Sequence, residues 1–245
     1  MPYYILFDTE TTGNQPNDRI IQIGAMVVKT KNDIEIFDEM CHTEVPITLE
    51  AMEVHGITPD QIKGKPPYSQ TRFASRIEEL NAPENYLIAH NIDFDLGMIE
   101  KEGFANRMQT IDTLRCAQHL LPDLPYHRLQ YLRYALDLYQ LEGKVADELG
   151  VKIKAHDAIG DVVILKLLFS ELIQRVREQF PDDNPIEKLV ELTQTPVLVK
   201  RFKFGKYKGE SIEEIAAKDP GYLGWMRKNL DLDENMRYTL DQYLH

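Results

Sequence analysis

Residues 3–7 are nearly all apolar, a short run that suits a central strand, and residues 19–28 and 34–42 continue the pattern as a second and third strand. Gly13, Asn14, Pro16, Asn17 and Asp18 make the first gap a dense turn signal, so three strands with short connections predict an antiparallel meander. Helical spacing follows at 48–54 and 69–80. Residues 85–90 read as a fourth strand with a helix at 95–102 behind it, and 109–112 as a short fifth strand leading into a helix at 113–121. The longest helical pattern covers 157–179, with Leu165, Leu168, Leu172 and Val176 on one apolar face. Pro181, Asp182, Asp183, Asn184 and Pro185 break it. The pattern predicts an α/β unit over residues 1–180, a linker with a bridging helix over 181–196, and a compact tail over 197–245 built from a strand, a Gly-bounded turn and two or three helices. There is no internal repeat and no low-complexity segment.

The 245 residues are 43% hydrophobic and 28% charged, the balance of a globular chain with a real core. No apolar run approaches the roughly 20 residues of a membrane span, so no membrane association is expected. The N-terminus, from Met1 to Asp8, has neither a basic leader nor a small-residue cleavage site, which predicts a cytoplasmic protein. Cys41 and Cys116 are too few for a disulfide framework and read as reduced, structural thiols. A net charge of −12 argues against a nucleic-acid partner unless the acids cluster where divalent ions neutralise them and a basic stretch lies elsewhere.

The acids do cluster in the sequence. Asp8 and Glu10, in Phe7-Asp8-Thr9-Glu10-Thr11-Thr12-Gly13, lie one residue apart after an apolar run and so project to one face of a strand. Buried there they repel each other, and a divalent cation relieves both the repulsion and the desolvation. A bare pair of this kind is more often solvated. In His90-Asn91-Ile92-Asp93-Phe94-Asp95, either aspartate would also serve as a helix cap. In His156-Asp157-Ala158-Ile159-Gly160-Asp161, Asp161 heads the apolar face of the long helix, where an acid is rarely unpaired, and His156 stands in the loop entering it. Each signal is modest alone.

Taken in this order, the three segments resemble the signature of the DEDDh exonucleases, which share the ribonuclease H-like fold. The resemblance implies an α/β chain with a mixed sheet flanked by helices, plus a small C-terminal α+β module. It implies 3′→5′ hydrolysis of nucleic-acid ends with two divalent cations, magnesium or manganese, held by Asp8, Glu10, Asp95 and Asp161. His156 is then the general base; its ordinary pKa near 6.5 suits that role at neutral pH. The family acid follows the phenylalanine, which selects Asp95 over Asp93. By the same resemblance Thr11, Thr12, His55 and Ile57 approach the terminal nucleotide, and Asn91 organises the site from behind.

The tail narrows the polymer. Lys200, Arg201, Lys203, Lys206 and Lys208 are interleaved with Phe202, Phe204 and Tyr207, a pattern that suits phosphate neutralisation with base stacking. It equally suits an edge strand kept soluble by lysines. Phe204 to Gly209, with Asp219 to Trp225, is similar to the C-terminal module of exodeoxyribonuclease X-type enzymes. That resemblance implies DNA as the partner, single-stranded or duplex at its 3′ end, in DNA repair. Trp225 is expected to pack the tail's core. An exoribonuclease or a polymerase proofreading subunit of the same fold is the alternative. A scaffold that binds without cutting is disfavoured by the five intact positions. Homodimers occur in the family, and the sequence carries no interface signature.

Overall fold

The computed structural model describes residues 1–151 and 158–244. Five strands, β1 (Tyr4–Thr11), β2 (Ile20–Thr30), β3 (Asp33–Met40), β4 (Tyr86–Ala89) and β5 (Gln109–Asp112), form one sheet in the order β3-β2-β1-β4-β5. The first three are antiparallel, as the short gaps predict, and β4 and β5 join parallel to β1. β1 runs through Thr11 rather than stopping at Phe7, because its pairing with β2 continues to Thr11 and Ile20. The first two acids are therefore inside the strand.

The helices follow in chain order as α1 (Leu49–His55), α2 (Pro59–Ile62), α3 (Arg72–Glu79), α4 (Ile92–Lys101), α5 (Thr113–Leu120), α6 (Leu129–Ala135), α7 (Tyr139–Leu149), α8 (Ala158–Gln179), α9 (Pro185–Gln194), α10 (Ile212–Lys218), α11 (Pro220–Asn229) and α12 (Glu234–Tyr243). α6 and α7 have no counterpart in the sequence reading. Successive side chains of a strand point to opposite faces, and the sheet uses both. Leu6, Met26, Ile88 and Ile111 pack against α5, α8 and α9 on one side. Ile5, Phe7, Ile23 and Leu87 pack against Phe73 and Ile77 of α3 and Met98 and Ile99 of α4 on the other. α9 contributes Leu189 and Leu192 to the first of these layers. Cys41 and Cys116 are buried free thiols, each pushed up to about 12 by burial. Among the described residues no helix is long and apolar enough to cross a membrane.

The tail has its own core of Phe202, Tyr207, Ile212, Ile215, Leu223, Met226, Leu232, Met236 and Leu240. The strand expected at its start is reduced, among the described residues, to an isolated bridge between Arg201 and Ser211. Gly205 and Gly209, at φ 79° and 89°, curl the intervening chain into turns that no extended segment can follow. Side chains close the tail on itself and fasten it to the body. Asn235 of α12 accepts from the Val197 amide at 2.8 Å, and Thr239 from the Val199 amide at 2.8 Å. Arg115 of α5 pairs with Glu234 and donates to the Thr193 carbonyl at 3.0 Å.

Candidate active site

Asp8 and Glu10 share one face of β1 and are partly exposed, whereas Phe7, Thr9 and Thr11 are buried on the other. β4 pairs with β1 only alongside Tyr4 to Leu6. Beyond Ala89 the chain turns away, through Asn91 in the left-handed region at φ 74°, and enters α4. The Thr9 amide then has no strand beside it. It donates instead to Asp95 Oδ1 at 2.9 Å, and the Thr9 hydroxyl reaches the same oxygen at 2.6 Å. Asp95 is buried in the first turn of α4, while Asp93 is exposed. Neither aspartate occupies the cap position, which falls to Asn91. Its amide donates to Asp112 Oδ1 at 2.9 Å, and its side chain makes no capping bond.

Asp161 arrives on α8, and a glycine lets it come close. Gly24 pairs with Asp8 across the β1–β2 ladder. A Cβ at Gly24 would lie 2.4 Å from the Ala158 carbonyl carbon and 2.4 Å from the Ile159 nitrogen. The start of α8 thus rests directly on the strand beside Asp8, with Asp161 in its first turn. Gln130 of α6 donates to Asp161 Oδ1 at 2.7 Å.

The electrostatics join the four acids. The Asp8 carboxyl is held well above the usual carboxylate range, first by burial and then by the charges of Asp95, Asp161 and Glu10. Asp95 is pushed up to about 7 by burial, against the pull of the two Thr9 hydrogen bonds. The first-turn positions of Asp95 and Asp161 offset part of this cost, since a helix N-terminus carries partial positive charge. Among the described residues no three metal-ligating side chains already close around one point. Asp95 and Asp161 instead turn an oxygen to Thr9 and Gln130. Hard, crowded, half-buried carboxylate oxygens are the donor set that divalent cations such as magnesium take. His156 lies outside the described residues. Two concavities of the surface, near Arg76 and near Arg175, are lined by none of the four acids.

The residues expected around the nucleotide separate. His55 is buried; its Nδ1 accepts from the Ile57 amide at 2.9 Å, so Nε2 carries the proton donated to the Thr11 carbonyl at 3.2 Å. Burial lowers its pKa and keeps it neutral. Ile57 sits in a small core with Ile21, Ile47 and Ile62, which leaves little of its side chain to a ligand. Thr11 donates to the Gly13 carbonyl at 2.7 Å. Thr12 is fully enclosed and donates to Asp18 Oδ1 at 2.7 Å, so its hydroxyl pins the β1–β2 loop.

In the tail, Lys200 pairs with Asp123 at 2.6 Å, Lys206 with Asp219 at 3.1 Å, and Arg201 donates to the Gly209 carbonyl. Among the described residues Lys203 and Lys208 make no ion pair; both are exposed. Trp225 is not in the tail's core. It is 51% exposed and stacks on Tyr222, with ring centroids 5.9 Å apart, because Leu223 and Met226 take the inward face of α11. Gly24 and Gln130 belong to the site and carry no motif.

A family model described as an exonuclease matches residues 5–169, and one described as the exodeoxyribonuclease X-like C-terminal matches residues 202–231. Exodeoxyribonuclease 10 of Escherichia coli (strain K12) is 28% identical over 241 residues, covering 98% of this chain and 97% of that protein. The PolC-type DNA polymerase III of Clostridium perfringens (strain 13 / Type A) is 27% identical over 206 residues, which is 76% of this chain but 13% of the polymerase. Among solved structures, Exonuclease X in complex with 5′ overhanging duplex DNA aligns with a TM-score of 0.55 at 20% identity, covering 78% of this chain and 99% of that one. E. coli Exonuclease I in complex with a dA16 oligonucleotide aligns with a TM-score of 0.54 at 22% identity, over 78% of this chain and 42% of that one. These likenesses establish the fold, and the mixed sheet is the ribonuclease H-like one expected.

Proposed function

Since this chain belongs to the exonuclease family, we propose that it is a 3′→5′ exodeoxyribonuclease that releases nucleoside 5′-monophosphates from DNA ends, in DNA repair and in the cytoplasm. One observation carries the reading: the Asp8 carboxyl stands amid the charge of three further acids brought from β1, α4 and α8. Asp8, Glu10, Asp95 and Asp161 would hold two divalent cations, magnesium or manganese, which when bound polarise the scissile phosphate and lower the pKa of water. Thr9 holds one oxygen of the Asp95 carboxylate and Gln130 one of Asp161, which orients both groups. His156 takes the proton of the attacking water. The DNA specificity is supported by the similarity to exodeoxyribonuclease 10 over nearly the whole of both chains.

A 5′-labelled oligonucleotide digested in magnesium and in chelator tests this. Single-stranded DNA and matched or mismatched duplex are expected to shorten from the 3′ end only with the metal. Unchanged digestion in chelator defeats the metal reading, and preferential digestion of RNA selects the exoribonuclease.

The tail is proposed as a DNA grip, through Lys203 and Lys208 with Lys200, Arg201 and Lys206 beside them. The ion pairs that engage Lys200 and Lys206 are solvent-exposed and weak, so phosphate can displace them. Lys203→Glu with Lys208→Glu is expected to raise KM for DNA and to flatten the dependence of log KM on log salt by about 0.7–0.9 per lost phosphate contact. A salt titration of wild type and variant checks this; parallel slopes would assign the lysines to solubility alone.

A further inference from the structure

A second aromatic and cationic surface lies beside the acids, on α6, α7 and the segment leading into them. Tyr126, Tyr134 and Tyr139 are exposed at 56%, 59% and 44%. Their rings are grouped. Tyr126 meets Tyr131 edge-on with centroids 5.4 Å apart, and Tyr134 lies 5.7 Å from Tyr139. The Arg128 guanidinium stands 5.3 Å over the Tyr126 ring, and that of Arg133 stands 5.1 Å over Tyr134. Exposed aromatic rings gathered in this way mark an interaction site.

The patch is joined to the acids by an unbroken run of hydrogen bonds. Gln130 donates to Asp161; Arg133 donates to Gln130 Oε1 at 3.2 Å and to the Tyr134 hydroxyl at 3.3 Å. Gln130, Arg133 and Tyr134 stand at i, i+3 and i+4 of α6 and so share one side of it. Arg133 is braced from α7 by Glu142, whose carboxylate takes both ends of the guanidinium fork. The brace fixes Arg133, while Arg128, the other cation of this patch, makes no ion pair among the described residues.

We propose that Tyr126, Arg128, Tyr134 and Tyr139 form a track for the unpaired nucleotides that precede the 3′ end held at Asp161. The rings stack bases and Arg128 meets a phosphate. Flat rings interleaved with cations fit a single strand of nucleic acid, because every base offers a π-face and every linkage a negative charge. The inference rests on the nuclease reading of the acids.

Two substrates separate the track from the chemistry. The p-nitrophenyl ester of thymidine 5′-monophosphate reports hydrolysis alone, and a single strand of about 12 nucleotides also engages the track. Tyr126→Ala with Tyr139→Ala is expected to raise KM for the long strand by about 10-fold or more, with ester hydrolysis and kcat unchanged. Tyr126→Phe, which keeps the ring, is expected to behave as wild type. Wild-type KM in the double variant overturns the track, as does an equal loss on both substrates. Unchanged KM with a shift from dimer to monomer would overturn it too and assign the patch to pairing of two copies. A wild-type protein inactive on both substrates defeats the nuclease reading itself.

Discussion

Asp8→Asn is expected to cut turnover by about 10³-fold or more and, in chelator, to raise the melting temperature. Both effects come from one fact, the crowding of like charges around Asp8. Its folded carboxyl is raised above the unfolded value, so ionisation disfavours the folded state. The penalty is absent below the unfolded carboxylate pKa near 4 and is fully present above the folded value, which for the neighbouring Asp95 is about 7. Metal-free wild type is therefore expected to lose stability as pH rises from about 4 to about 7, with Asp8 and Asp95 both contributing. Asparagine at position 8 removes one of these charges. The gain is expected as a rise in Tm at neutral pH that disappears as pH falls to the ordinary carboxylate range. Magnesium is expected to stabilise the wild type and the variant much less, and its affinity to fall as Asp95 takes a proton below about pH 7. Thermal melts across pH with and without magnesium, alongside digestion rates, check each part. A variant that melts lower than wild type in chelator at neutral pH would contradict the electrostatic account.

Gly24→Ala is expected to cost about 100-fold or more in turnover with a smaller loss of stability, about 1–3 kcal/mol. The added methyl group would stand 2.4 Å from backbone atoms of Ala158 and Ile159, where no side-chain rotation relieves it. Either α8 lifts or β2 bends, and each moves Asp161 relative to Asp8, since Gly24 is paired with Asp8. Misplacement of a reacting group by about 1 Å is worth about two orders of magnitude in rate. The informative measurement is kcat beside the denaturant midpoint. Wild-type kcat in a folded variant would show that the contact does not set the spacing of the acids.

The sheet was largely legible in the sequence because the run before Asp8 and most of β2 are buried on both faces and bounded by turn formers. The acids were legible through their motifs and through position: one residue apart on a strand, or at the head of a helix. Gly24 and Gln130 were not. Each matters through a partner far away in the chain, Ala158 and Asp161, and no local pattern encodes such a contact. α6 and α7 escaped because they are short and one-sided, with Leu132 and Ala146 their only buried residues. Trp225 misled because a lone tryptophan in a small module suggests a core residue. The core was already filled by Phe202, Tyr207 and Met226, and the indole was left over Tyr222 at the rim.

The clasp between α12 and α5 bears on how the protein would work along a polymer. Glu234 and Asn235 of α12 both take the Arg115 guanidinium of α5, and α5 begins at the very end of β5, next to the acids' own sheet. The tail is thus a fixed arm rather than a hook on a string. Whatever it grips stands at one set span from the scissile bond, so the reach of the enzyme is measured by the architecture and not by the length of a leash.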